Sequence, residues 1–322
     1  MNLTAIVSAF VSIFSIVAMI IVGFVIGKKG WMTESVDRFI AKVVSNIAVP
    51  ANLLYIFTTD FSRELLLDFR FIILIPLAAL LLNYGLATVF TRLLKVPQNR
   101  RGVFRAMFAL SNVGFMGIPV NFALFGEAAG PAIYIFFAVN TLMFWTLGVG
   151  GIQRDARVGS SDVKPPFKVR NIFKIFTGGL AGIIVGVILV LLNISFPPFV
   201  NNTLRHLGAL VTPLPMLFIG GVFAKADWKK FKLSKDLFAI TAARFAFAPL
   251  MVIAMLAISG NFFEFDSLIG QVFVLQASMP VMMQAPILAK EFGADYEYAT
   301  IMTTVTTLVS LIAIPIIRVL VG

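Results

Sequence analysis

The segment FALSNVGFMGIPVNFALFG, from Phe108 to Gly126, decides the fold, because it is apolar enough for a membrane yet carries helix breakers at its middle. The segment LQASMPVMMQAPILAKEFG, from Leu275 to Gly293, matches it without a gap 167 positions later. Prolines and glycines that interrupt a membrane helix free backbone groups that lipid cannot bond, so they survive only where protein or a polar cavity surrounds them. Corresponding breaks in two halves of a membrane protein are typical of a substrate site near the bilayer midplane.

The composition places the chain in a membrane. Hydrophobic residues make up 59% of it, charged residues 13%, and the mean hydropathy is +0.97, values that do not suit a water-soluble globule. Ten apolar stretches are close to the roughly 20 residues that cross a ~30 Å hydrocarbon layer. These predicted spans, numbered 1 to 10, cover residues 3–27, 39–58, 69–94, 103–125, 132–151, 173–194, 207–224, 237–258, 268–289 and 299–319.

Basic residues concentrate in alternate loops, which explains the net charge of +11 without a nucleic-acid partner. By the positive-inside rule those loops are cytoplasmic, so we expect a multi-pass protein of the cell (plasma) membrane with both termini outside. A polar linker at 153–172 separates a first repeat at 1–152 from a second at 173–322. Because each half has an odd number of spans, the second enters the bilayer from the opposite side, as in inverted-repeat transporters.

The two breaks define the predicted site. The helix of span 4 is expected to stop near Val113–Gly114 and restart near Gly117–Pro119, and that of span 9 to stop near Pro280 and restart near Gln284–Pro286. Each restarted half-helix presents free N–H groups and the positive end of its dipole, which favours an anion such as a carboxylate. The alternative is that these breaks are packing kinks. The substrate-binding prediction covers Ser111, Asn112, Gly114, Gly117, Pro119, Ser278, Pro280, Gln284 and Pro286.

Other polar residues inside the spans are candidates for gating or for the substrate pathway: Asn46, Asn52 and Arg244. Intramembrane charges are often functional, but Arg244 is also placed to snorkel or to bond helix ends. Asparagines also fasten membrane helices together. No carboxylate lies convincingly within a span, which argues against an exchanger that uses paired aspartates.

Enzyme chemistry has no visible basis in the sequence. The chain contains one histidine, no cysteine and no Walker loop, and its sequence has no cluster of metal-ligand residues. We therefore expect no catalytic residues, no cofactor, no metal and no nucleic-acid partner.

Two motifs and a proline of this sequence resemble those of a known family. The motifs NVGFMGIP at 112–119 and AKEFG at 289–293, together with the proline of IAVPANLLYIF in span 2, resemble the auxin efflux carrier family, which includes plant PIN-type exporters and bacterial malate or malonate permeases. The resemblance covers the whole chain and implies crossover helices 4 and 9, a dimerising scaffold of spans 1, 2, 6 and 7, and a mobile transport domain of spans 3–5 and 8–10. It also implies that Asn112 contacts substrate and that Asn140 and Trp145 belong to the site. The short linker, and Leu53 where the plant exporters tend to have a hydroxyl, make auxin itself a poor fit.

The sequence therefore predicts an all-α integral membrane protein of ten transmembrane helices, arranged as two inverted five-helix repeats. We expect a homodimeric secondary transporter of small organic anions, such as malate or auxin-like acids, working by elevator-type alternating access. Export driven by the membrane potential is the expected direction. A proton- or sodium-coupled carboxylate symporter and an anion channel remain as alternatives.

Overall fold

The computed structural model describes residues 3–61, 63–158, 178–226, 234–261 and 266–321. Within these ranges the regular structure is helical, and β pairing is confined to an isolated antiparallel bridge. The predicted all-α class is confirmed for the described residues. Most of the predicted linker lies outside them, although its first residues continue a helix as far as Ala156.

The described part of the chain contains seventeen α-helices. In chain order they are α1 (Leu3–Lys28), α2 (Glu34–Val43), α3 (Val49–Thr59), α4 (Arg63–Ile72), α5 (Leu74–Leu93), α6 (Arg101–Ala109), α7 (Ile118–Phe125), α8 (Gly130–Met143), α9 (Val149–Ala156), α10 (Gly178–Leu191), α11 (Pro198–Gly208), α12 (Pro213–Lys225), α13 (Lys235–Ala242), α14 (Ala248–Ser259), α15 (Ser267–Ala277), α16 (Gln284–Phe292) and α17 (Tyr296–Val321).

Six continuous helical segments of the described part are long and apolar enough to cross a membrane. They overlap predicted spans 2, 3, 5, 7, 8 and 10, and run over Glu34–Thr59, Arg70–Leu93, Glu127–Ala156, Pro198–Lys225, Lys235–Ser259 and Tyr296–Val321. Shorter apolar helices lie in the other four predicted spans. The chain is therefore a multi-pass helical membrane protein, and the count of ten spans in two inverted repeats stays a prediction.

Residue contacts divide the chain into two compact units. Unit 1 comprises Met1–Ile73, Gly114–Ala138 and Lys174–Ala226, and within it α1 packs along α12 while α3 packs against α10 and α11. Unit 2 comprises Leu74–Val113, Val139–Phe173 and Asp227–Gly322, and within it α5 packs against α6 and α14, and α6 also packs against α9. The predicted scaffold and transport domains are defined by which spans move together during transport. That division stays a prediction.

Three helical segments contain a π turn just before a proline. The turns Val44–Ala48, Val113–Gly117 and Ala243–Phe247 each end two residues before Pro50, Pro119 or Pro249. A proline ring collides with the carbonyl four residues earlier in a regular α-helix, and proline has no N–H to donate. That carbonyl lies within the π turn in all three cases, so the wider turn relieves the collision while the helix continues.

Candidate functional site

Helices α6 and α15 of unit 2 end inside their predicted spans and are followed by non-helical backbone. The two non-helical pieces pair in antiparallel fashion at Ser111 and Val281, and the Asn112 N–H donates to the Pro280 carbonyl oxygen at 2.8 Å. Ser111, Asn112 and Val281 are buried. The pairing joins the two sequence-matched segments at the centre of unit 2.

The helices end earlier than the sequence predicted. We expected the first to stop at Val113–Gly114 and the second near Pro280, but the last helical residues are Ala109 and Ala277. The pairing explains the difference, because a backbone that pairs with another strand must be extended and has to leave the helix first. The first restart was predicted too late, because helical backbone resumes at Val113 and not near Gly117–Pro119. The second restart does lie where the sequence placed it, at Gln284.

Asn140, which α8 contributes to unit 2, holds the first non-helical piece in place. Its Oδ1 accepts a hydrogen bond from the Ser111 N–H at 3.1 Å, and its Nδ2 donates to the Ser111 carbonyl oxygen at 2.9 Å. The Ser111 hydroxyl donates to the same Oδ1 at 3.4 Å. A side-chain amide has one acceptor and two donors, so it can replace the helical partners that Ser111 has lost. Asn140 is fully buried, and its role in this geometry is to fix the backbone at the break.

Arg244 binds the carbonyl ends of both interrupted helices. Its Nε donates to the Met279 carbonyl oxygen at 3.0 Å, its Nη1 to the Phe108 oxygen at 3.1 Å, and its Nη2 to the Ala277 oxygen. The last carbonyls of a helix have no partner of their own, and the guanidinium has five donors to offer them. Arg244 lies in the π turn before Pro249 and is 0% exposed. This geometry corresponds to bonding of helix ends, one of the two roles that the sequence allowed.

Asn83 of α5 supports one of the same helix ends. Its Nδ2 donates to the carbonyl oxygens of Phe108 at 3.4 Å and of Ala109 at 3.3 Å. Asn83 is buried, so both its amide and the carbonyls that it meets are out of reach of solvent. The end of α6 therefore has donors from two neighbouring helices.

The partial charges of the helix ends at the breaks can be compared with the charge of Arg244. A helix C-terminus is equivalent to about half a negative elementary charge. The C-termini of α6 and α15 together carry about one such charge, and Arg244 supplies one positive charge against them. The N-terminus of α16, at the second break, is equivalent to about half a positive charge. By this count the break region of unit 2 keeps a partial positive charge.

The start of α16 offers a backbone donor at that position. The first N–H groups of a helix have no partner within the helix, but Pro286, the third residue, has no N–H. The Ala285 N–H donates to the Met282 carbonyl oxygen at 3.1 Å, which leaves the N–H of Gln284, the first residue, as the donor of this start. Gln284, the first residue, is half-buried, and Met282 and Met283 before it are buried. The Val281 N–H is already bonded, since it donates to the Thr306 hydroxyl oxygen of α17 at 3.2 Å. Ser278 is also engaged, because its hydroxyl donates to the Val274 carbonyl oxygen at 2.7 Å.

The restart after the first break belongs to unit 1. Pro119 is the second residue of α7, but the π turn Val113–Gly117 leads directly into α7, so Pro119 lies inside a continuous helical segment and not at its start. The Gly117 carbonyl oxygen accepts from Asn121 Nδ2 at 2.8 Å. A Cβ on Gly114 would stand 3.4 Å from the Phe137 ring, and the Phe115 ring packs against Phe218. The substrate role predicted for Gly114, Gly117 and Pro119 stays a prediction.

Three predicted residues remain, one in unit 2 and two in unit 1. Trp145 is half-buried in the π turn Phe144–Gly148 of unit 2, with its ring edge-on to Phe144. Asn46 is exposed in unit 1. Asn52, also in unit 1, accepts a hydrogen bond from the Tyr134 hydroxyl and lines a cavity of about 320 Å³.

Two important residues were not identified from the sequence. Asp155 was assigned to the polar linker, but it is buried at the end of α9 and accepts from the N–H groups of Gly102 and Val103, both at 2.8 Å. A carboxylate at a helix N-terminus satisfies orphan donors and the dipole together. Thr306 lies in predicted span 10 and was not among the predicted residues, but its hydroxyl oxygen accepts the bond from the Val281 N–H. For Asp155 a usable signal was its position one turn beyond an apolar span.

The sequence of this chain is similar to those of membrane transporters. Residues 8–318 match the family described as membrane transport protein. An uncharacterized transporter of Methanothermobacter thermautotrophicus is 24% identical over 310 residues, which cover 95% of this chain and 96% of that protein. An uncharacterized transporter of Methanocaldococcus jannaschii is 24% identical over 301 residues, or 93% and 94% of the two chains. A Rhizobium meliloti protein named "Putative malonate transporter" is 22% identical over 204 residues, or 63% and 61%.

The family match extends over nearly the whole chain and includes both interrupted helices and the motifs that resemble auxin efflux carriers. The resemblance seen in the sequence is therefore confirmed. The chain belongs to the membrane transport protein family of auxin efflux carriers.

Proposed function

We propose that this protein carries small organic anions across the membrane by elevator-type alternating access, with malonate and malate as the first candidate substrates. The observation that carries the proposal is the charge balance in unit 2. Arg244 occupies the carbonyl ends of both interrupted helices, so an entering ligand meets the donor end of α16 and not the acceptor ends.

A carboxylate is the ligand class that best fits these groups. Its oxygens are acceptors only, and the start of α16 offers the Gln284 N–H while the Gln284 and Asn112 side chains offer amide groups. The buried Met282 and Met283 form apolar surroundings suited to a short carbon chain. The name of the Rhizobium meliloti relative supports malonate as the first compound to test.

The proposal extends to orientation and energetics. We place the protein in the cell membrane as a homodimer with both termini outside, exporting the anion down the membrane potential. A cytoplasm-negative potential favours the outward movement of negative charge. Within the described residues Asp155 is the acid with a buried side chain, and its two backbone hydrogen bonds hold it at the end of α9.

The test is flux in proteoliposomes of purified protein. Labelled malonate, malate, lactate and indole-3-acetate should be compared, with empty liposomes as the control. We expect saturable malonate flux and counterflow, in which unlabelled malonate on one side accelerates movement of label from the other. Sustained single-channel currents without saturation would show a channel instead. Absence of flux for all four acids would refute the proposed function.

A further inference from the structure

Arg244 is a buried charge that is paired with dipoles. Within the described residues Arg244 and Asp155 are the charged residues with buried side chains, and Asp155 is bonded to the start of α6. A buried charge needs compensation that approaches what water would supply. Arg244 finds it in three carbonyl oxygens from the two helix breaks.

These three oxygens form the kind of oxygen cluster that a small inorganic cation would otherwise fill. The carbonyls of Phe108, Ala277 and Met279 come from two segments that are distant in sequence and converge on one guanidinium. Helix C-termini with their carbonyls directed at one point attract positive charge. Arg244 provides that charge covalently, so the break needs no bound metal cation to be neutral.

We infer that Arg244 is a positioning residue, a built-in cation that joins the carbonyl ends of α6 and α15 and keeps the donor end of α16 available to an anion. The inference rests on the proposed function, and it adds the cause of the anion preference. Without the guanidinium, about one negative charge at the two C-termini would be uncompensated close to the bound anion. An anion would then be repelled, and the carbonyl ends would be free to separate.

The central experiment compares Arg244→Ala with Arg244→Lys and with Arg92→Ala, an exposed arginine of the same unit that serves as the matched control. Malonate affinity and transport are measured with and without millimolar guanidinium chloride, and potassium chloride serves as the ionic-strength control. We expect Arg244→Ala to weaken malonate binding by about tenfold or more. The variant loses the three hydrogen bonds from the guanidinium to the carbonyl oxygens, and hydrogen bonds to charged groups are the strong ones. Added guanidinium should restore much of the binding by entering the vacated space, and potassium should not. Arg92→Ala should behave like the wild type under every condition.

Arg244→Lys keeps the charge but has a single nitrogen for three carbonyl oxygens that a planar guanidinium reaches together. We expect it to fold, to bind malonate better than Arg244→Ala, and to transport more slowly than the wild type. If Arg244→Ala does not fold, the inference is tested by the transport rate of Arg244→Lys, which should be slower than that of the wild type. Wild-type affinity and turnover in either Arg244 variant would overturn the inference. Failure of guanidinium to improve a folded Arg244→Ala would also overturn it.

A further measurement separates this inference from the proposed function. Guanidinium should raise the thermal unfolding midpoint of Arg244→Ala, without any substrate, more than that of the Arg92→Ala control. That result would support the bridging role even if wild-type protein carried none of the tested acids. An unchanged midpoint would refute the bridging role even if malonate transport were established.

Discussion

Replacing Asn140 with leucine tests how the break in unit 2 is held together. Leucine has the same branched arrangement of four side-chain heavy atoms as asparagine but cannot hydrogen-bond, so the change removes the amide without leaving a cavity. The Ser111 N–H then loses its 3.1 Å partner, and the Ser111 carbonyl loses the 2.9 Å bond from Nδ2, although it keeps a bond from the Val113 N–H at 2.9 Å. The 3.4 Å bond from the Ser111 hydroxyl to Asn140 Oδ1 is lost as well. The variant therefore leaves the buried Ser111 N–H unsatisfied and removes two further hydrogen bonds.

The expected loss of stability follows from those changes. A buried unsatisfied donor costs about 1–3 kcal/mol and each of the two lost hydrogen bonds about 0.5–1.5 kcal/mol, so the sum is about 2–6 kcal/mol. Side-chain hydrogen bonds in membrane proteins tend toward the low end of such ranges. The free energy of unfolding should be measured by denaturant titration of purified protein in detergent micelles.

Thr141→Val is the matched control, because it changes the next residue of the same helix. Thr141 is also buried, but its hydroxyl has no hydrogen-bond partner in the described part of the chain. Removing an unsatisfied hydroxyl should change stability by less than about 0.5 kcal/mol, or increase it. Equal stabilities for Asn140→Leu, Thr141→Val and the wild type would refute the reasoning that Asn140 secures the break.

Three further predictions follow from the site and its surroundings. Asn112→Ala should weaken malonate binding by about tenfold or more, since a hydrogen bond to a charged ligand contributes about 1.5–3 kcal/mol, and an unchanged dissociation constant would remove Asn112 from the site. Gly102→Ala should reduce the yield of monodisperse protein, because the new Cβ would collide with the Gly151 backbone; Gly150→Ala, whose Cβ meets nothing within 4 Å, is the control that should fold normally. Malonate export should accelerate when a potassium gradient and valinomycin make the interior negative, because 100 mV is worth about 2.3 kcal/mol per charge, whereas flux that ignores voltage and follows the pH gradient would contradict potential-driven export.

The sequence was sufficient to locate the breaks and insufficient to place their ends. Glycine and proline at matching positions of two apolar segments are local signals, and the second restart at Gln284 follows from them. The end of α6 depends instead on Asn140 and Pro280, whose contacts with Ser111 and Asn112 come from other parts of the chain. The helix propensity of residues 108–112 does not reveal these contacts, so it does not predict where α6 ends.

Arg244 illustrates the same limit for the candidate site. Its position inside a span identified it as important, but two roles remained open, since the sequence does not say which groups it faces. The structure gives it three carbonyl partners that lie between 33 and 136 residues away. Asp155 was misplaced for a related reason: a carboxylate near basic residues at a span end is usually solvated, and only the approach of α6 to α9 makes it buried.

The partnership between Arg244 and the end of α6 also has a consequence for biosynthesis. Phe108 and Arg244 are 136 positions apart, and ribosomes add about 5–20 residues per second, so the α6 carbonyls wait roughly 7 to 27 s for the guanidinium. Asn83 is made before α6, and its amide can hold the Phe108 carbonyl oxygen during that interval. Helix α15, which follows Arg244 in the chain, emerges after its partner has been made. The amino-terminal half is therefore expected to need protection by the insertion machinery, and the two halves should fold when they are produced together and fail when either is produced alone.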